Sequence, residues 1–253
     1  MDKKELLEMA ADPNFIPGIY NYCDRWCGRC PFTSRCLNYA MEEDEKQKAE
    51  GADEDNRQFW DHIGDSFDIA LSLLEDLADE FGIDLETVEI ETEAGPDNKE
   101  HIVSRMADHY IKMVGDWFDR CQGPLAEAVE KEASPLKVVR SDAEKGSIPL
   151  SEALEVIGYY QFFIGVKLDR ALRGKDEEAG SDFDDIPKDS DGSAKIALIA
   201  MDRSISAWGV AASYLPDHKG RAAEIIARLR LIRDITEKEF PEARAFVRPG
   251  FDE

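Results

Sequence analysis

The chain has 253 residues, 43% of them apolar and 34% charged, which is enough apolar material for a large helical core and too much charge for a membrane bundle. Its formal net charge of −24 repels nucleic-acid phosphate and anionic lipid, so neither a nucleic acid nor a membrane is an expected partner. The longest uncharged runs, Val156–Val166 and Ser204–Pro216, fall short of the ~20 residues a membrane span needs.

In chain order, the first stretch (MDKKELLEMAADPNF) shows no apolar signal core and no small-residue cleavage site, which points to a cytoplasmic protein with reduced thiols. The run YCDRWCGRCPFTSRC, Tyr22 to Cys36, then holds four of the five cysteines. Cys23, Cys27, Cys30 and Cys36 follow the spacing C-x3-C-x2-C-x5-C, and both a tetrahedral Zn2+ and a [4Fe–4S] cluster require four thiolates around one point. Structural zinc more often uses two separated C-x2-C knuckles, whereas here one continuous loop carries a single C-x2-C and a proline directly after a ligand, Cys30-Pro31. The loop therefore favours a [4Fe–4S] cluster, with Zn2+ as the alternative. Tyr22, Trp26, Phe32 and Tyr39 offer aromatic cover. Arg25, Arg29 and Arg35 lie between the ligands, placed to offset thiolate charge and donate hydrogen bonds to sulfur, with Trp26 beside them.

The first three of these cysteines resemble the triad of radical S-adenosylmethionine enzymes, in which three thiolates leave one iron open to bind the cofactor. The likeness covers eight residues. That family builds its site on a β/α barrel, for which this sequence has no strand pattern, and Cys36 is placed to supply a fourth thiolate, so no membership follows.

Residues 41–100 carry 22 acids against four bases, so three quarters of the net charge sits in one quarter of the chain. This acidic surface reads as a solvated face or as a docking site for a basic protein partner or the chain's own Arg-rich end. Within it, Trp60, Ile63, Phe67, Leu71, Leu74, Leu77 and Phe81 recur every three or four residues, predicting an amphipathic helix over 56–81. Asp97 and Glu100 form a capping-box pattern for a helix with Ile102, Met106, Tyr110, Met113, Trp117 and Cys121 on one face, ended by Gly123-Pro124. His101, Arg105, His109 and Asp116 share a neighbouring stripe suited to acid–base work. Ser141 with Glu144 gives another capping signal, and Pro149 suits the first turn of a core helix over 150–173. The acidic, glycine-flanked stretch 174–192 reads as a loop. A second core helix spans 193–215, and a last one spans 219–240 with Arg221, Arg228, Arg230, Arg233 and Lys238 around it.

The fold class is all-α: a bundle of about six or seven helices with an N-terminal Cys-rich metal-binding loop. Residues 1–40 form the metal-loop segment and 41–253 the acidic bundle, expected to be one compact unit. The core helices also carry Glu155, Gln161, Lys167, Asp169, Arg170, Asp202 and Arg203, with Tyr159 and Tyr160. These serve as ion pairs such as Asp202 with Lys167 or Arg170, or as the lining of a polar pocket. None of the four histidines has Glu three residues before it, so the di-iron bundle motif is absent, as are the P-loop, G-x-S-x-G and G-x-G-x-x-G motifs. Cys121 reads as an inert core thiol. Three functions follow: an iron–sulfur protein in electron transfer, redox sensing or an accessory role; a zinc-stabilised scaffold binding a partner through its acidic face; or an enzyme with a polar pocket between 150–173 and 193–215. The sequence leaves both enzymatic activity and oligomeric state, a homodimer included, open.

Overall fold

A computed structural model of the chain describes residues 3–49, 56–85, 100–133, 148–178 and 188–252. Among them every regular element is helical: α1 (Lys3–Ala10), α2 (Leu37–Ala49), α3 (Asn56–Phe81), α4 (Ile102–Ala133), α5 (Leu150–Glu178), α6 (Asp189–Tyr214) and α7 (Lys219–Glu239), with short 3₁₀ turns between some of them. The chain divides into two units rather than one. Met1–Ala94 joins Arg248–Glu253, and Gly95–Val247 forms the other, so the division does not fall after residue 40.

The second unit holds most of the core. Helix α4 buries Met106, Tyr110, Val114, Trp117, Cys121 and Leu125, and it continues through Gly123-Pro124, where the sequence predicts a break. Proline removes one backbone donor and frees one carbonyl. The carbonyl freed is that of Arg120, which is exposed to solvent as residues 122–124 are, while buried Cys121 and Leu125 hold the turns on either side. Asp97 of the expected capping box lies outside the described residues, as do Ser141 and Glu144. The Val103 N–H instead donates to His101 Nδ1 at 3.3 Å, so His101 caps the start of α4.

Helix α5 begins on a cap supplied from another helix: Glu132 of α4 accepts the Leu150 N–H at 2.8 and 3.0 Å and the Tyr214 hydroxyl at 2.7 Å. It then runs past Gly174 to Glu178, five residues beyond the sequence boundary. Glu178 explains the extension. Its carboxylate accepts the Ser190 N–H at 2.9 Å and the Ser190 hydroxyl at 2.6 Å, capping α6, which starts four residues earlier than expected. A Cβ at Gly174 would lie 3.5 Å from Ser190 Cβ, an ordinary contact, so the two helix ends meet closely there without requiring glycine.

The charges of the core helices are paired, though not as expected. Asp202 bonds Arg233 at 3.1 Å and Arg244 at 2.8 Å rather than Lys167 or Arg170. Arg170 pairs with Asp189, Arg173 with Asp169, and Lys167 lies over the Phe163 ring. Arg203 donates to the Tyr160 hydroxyl, and Gln161 donates to the Ile111 carbonyl. Arg233 of α7 and Arg244 after it reach Asp202, while Arg170 and Arg203 link α5 with α6, so these groups join helices.

Tyr110, Trp117, Trp208 and Ser204 meet in the centre of this unit, with the two indoles edge to face at 4.8 Å. Trp208 and Ser204 stand beside the Tyr110 hydroxyl, but neither reaches strict hydrogen-bonding geometry. Burial, partly opposed by these neighbours, pushes the Tyr110 phenol from 10.0 up to about 12. The folded chain thus keeps this proton where the unfolded chain releases it. The associated stability is complete below pH ~10 and is lost as pH rises through about 12, a change of about 2–3 kcal/mol. Chemical unfolding of wild type and Tyr110→Phe between pH ~9 and ~12 measures this term. The wild type loses stability more steeply, and parallel curves would show that Tyr110 carries no such linkage.

Candidate metal centre

The first unit builds its centre from turns. After α1, the Asp12 carboxylate accepts the Asn14 N–H at 2.9 Å, an Asx turn that reverses the chain. The Ile16 N–H donates to the Arg35 carbonyl at 3.0 Å, and the Arg35 guanidinium reaches back to the Asn14 carbonyl at 3.3 Å. These two bonds pin the segment before the cysteines to the segment that ends them. Asp24 accepts the Trp26 N–H at 3.1 Å in a second Asx turn, with Arg25 between them at a φ of 55°. A 3₁₀ turn over Cys27–Arg29 separates Cys27 from Cys30, and another over Thr33–Arg35 delivers Cys36 to the start of α2. The Ala40 N–H donates to the Cys36 carbonyl, so Cys36 stands at the helix N-terminus.

The outcome is convergence: Cys23, Cys27, Cys30 and Cys36 all line one cavity, and all four are half-buried free thiols. Ile19, Tyr20, Trp26, Tyr39 and Phe251 supply most of the wall. Burial pushes the Cys23 thiol up, against the pull of the Arg25 backbone N–H. Burial also raises the Cys27 thiol, as do the Glu42 carboxylate and the other three sulfurs. Burial thus favours the protonated thiol at Cys23 and Cys27, whereas a coordinating metal deprotonates its thiols outright. Among the described residues, no group of three or more His, Cys, Asp or Glu stands ready to hold a metal ion in this arrangement.

Cys30 accepts a backbone hydrogen bond from the second residue after it, the Phe32 N–H at 3.4 Å, while the Cys23 thiol donates to the Tyr20 carbonyl at 3.5 Å with the Arg25 N–H nearby. The sequence assigns sulfur hydrogen bonding to arginine side chains. In the structure Arg25 contributes its backbone, Arg29 stacks over the Trp26 ring at 4.3 Å, and Arg35 ties the loop to Asn14. Trp26 and Tyr39 line the cavity as expected, while Tyr20 lies on the wall where the sequence suggests Tyr22.

Phe251 is the residue that sequence reasoning misses. It packs edge to face on Phe32 at 5.0 Å, under the Arg248 guanidinium, which is itself clamped to Asp252 at 2.8 Å. Gly250 makes this return possible. Its φ is +73°, and a Cβ there would sit 2.9 Å from Ile16 Cδ1 and 3.1 Å from Ile19 Cδ1. The only local signal is the turn-forming Pro249-Gly250 pair before an aromatic.

The other candidates do not assemble. Arg105, His109 and Asp116 lie exposed along α4, away from any described cluster, and His101 is used as a cap. Cys121 is fully buried, and burial raises its thiol, in keeping with an inert core residue. Compared with protein-family models, with curated proteins and with solved structures, the chain matches none.

Metal analysis of variants separates these roles: Cys36→Ser lowers the metal retained per chain, and Cys121→Ser leaves it unchanged. Equal loss from both would place Cys121 among the ligands. Gly250→Ala forces an L side chain into a strained φ against two isoleucines, costing about 1–3 kcal/mol in the first unit. Its metal retention falls with the four cysteines intact, and wild-type retention would show the Phe251 wall to be dispensable.

Proposed function

We propose that the loop holds a [4Fe–4S] cluster on Cys23, Cys27, Cys30 and Cys36, and that the protein acts through it in electron transfer, redox sensing or an accessory role. The observation that carries this reading is the cavity shared by all four thiols. A cubane and a single ion both draw on four thiolates, and the single C-x2-C with proline directly after Cys30 is the feature that favours the cubane. Its potential depends on exposure and on hydrogen bonds to sulfur. Half-burial, the Phe32 N–H on Cys30 and the walls of Trp26, Tyr39 and Phe251 bear on both controls. When bound, the cluster would exchange single electrons with an outside partner. The chain's own groups would screen it from water and offset thiolate charge.

Zinc on the same four thiols, in a scaffold that docks a partner through its acidic face, is the second reading. The turn at Cys30 favours it, because an i+2 N–H on a thiolate also serves structural zinc. Anaerobic purification with metal analysis and visible spectroscopy decides between them. The expected protein is brown, holds iron and sulfide in equal amounts, and bleaches on reduction. A colourless protein with stoichiometric zinc would overturn the cluster and leave the four-thiol site standing. A protein with neither metal after reconstitution would overturn both readings.

A further inference from the structure

Helix α3 presents its apolar stripe outward. Phe67, Leu71, Leu74, Leu77 and Phe81 are 66%, 58%, 52%, 53% and 70% exposed. The opposite side holds the helix in place: Lys3 of α1 donates to the Ser72 carbonyl and hydroxyl and pairs with Asp76 at 2.6 Å. Five large apolar side chains in a row over ~21 Å of helix form a ridge of the kind that marks a protein contact.

Charge selects the occupant. Between Phe67 and Phe81 there is no Lys or Arg, and Asp68, Glu75, Asp79 and Glu80 stand exposed on the helix around the ridge. At its end the chain turns at Gly82, with a φ of +67°, closing the helix through Ile83 N–H to the Ala78 carbonyl at 2.8 Å. This turn shapes an open groove of about 440 Å³ whose floor includes Ala78, Ile83 and Leu85 and whose rim carries Glu75, Asp79 and Asp84. An apolar floor with an acidic rim fits the aliphatic stem and cationic head of Lys or Arg. A second copy of this chain would set acid against acid along the ridge, and anionic lipid would be repelled in the same way.

We propose that α3 is a docking site for a partner-protein helix whose apolar face is flanked by Lys or Arg, with one basic side chain seated in the groove beyond Phe81. The ridge supplies affinity, and the acidic flanks supply orientation and association rate. This proposal is independent of the metal reading.

The test uses the full chain and three labelled helical peptides of about 16 residues. Each carries a leucine stripe at i, i+3, i+4 and i+7, flanked by Lys in the first and Glu in the second. The third is a scrambled Lys peptide without a stripe. Fluorescence anisotropy at low salt should show binding to the first at least about tenfold tighter than to either control. Leu71→Gln with Leu74→Gln, both at exposed positions, should weaken that binding by about tenfold or more with the helical circular dichroism unchanged. Glu75→Gln with Asp79→Asn should weaken it less, with the difference vanishing at high salt. Equal binding of the Lys and Glu peptides, or retained binding in the leucine variant, would overturn the proposal. So would binding of none of the peptides, the result if the rest of the chain covers the ridge. Sedimentation showing a wild-type dimer that Leu71→Gln/Leu74→Gln dissociates would overturn it in favour of a second copy.

Discussion

The close approach of α5 and α6 governs the second unit. Nine of the thirteen buried residues of α6 are Gly, Ala or Ser, so its backbone comes nearer to its neighbours than leucine-lined helices allow. Large side chains on the facing helices then complete the packing, with Ile157, Ile164 and Leu168 on one side, Ile225, Leu229 and Ile232 on another, and Trp117 against Trp208 at the centre. Fixed in this way, the helix ends fall within reach of the acids that cap them. Glu132 serves the start of α5, and Glu178 serves the start of α6. Both caps are long-range partners that exist only once the helices have docked, which couples local helix formation to tertiary packing.

The same dependence explains what was legible in the sequence. Period-3.6 patterning reports amphipathy directly, and the helices over 56–81, 150–173, 193–215 and 219–240 emerge at or near those positions. Patterning does not say what an apolar face meets, and the stripe of α3, plain in the sequence, lies exposed. Gly123-Pro124 and the acidic run after Gly174 read as breaks because their local preferences are poor. Buried Leu125 and the Glu178 cap, neither visible in a local window, carry the helices through both. The cysteine loop was legible because its information is local: spacing, Asx turns and 3₁₀ turns bring four thiols to one cavity within a stretch of 14 residues. The wall supplied by Phe251 was not, since no local pattern relates residues more than two hundred positions apart.

Polar chemistry in the two units is arranged differently. In the second, charges on α6 and α7 form a seam in which Asp202 bridges Arg233 and Arg244, and Arg244 also holds Glu237 at 2.8 Å. Its members are half-exposed, so each pair contributes little on its own and the seam chiefly fixes how α7 and the following segment lie on α6. In the first, the polar groups around sulfur are largely backbone N–H donors held by turns. They neither titrate nor change rotamer, which makes them a steadier electrostatic setting for thiolates than flexible side chains.

The return of residues 248–252 to the cysteine cavity has a consequence for biosynthesis. Translation proceeds at ~5–20 residues per second, so Phe251 is synthesised roughly 10–40 s after Cys36. Throughout that interval the nascent chain carries its four thiols and the loop turns but lacks the aromatic wall opposite Phe32. The second unit is itself complete only at residue 247, four residues before Phe251, so the two units are finished almost together. Closure of the cysteine cavity thus waits for a residue made more than two hundred positions after Cys36.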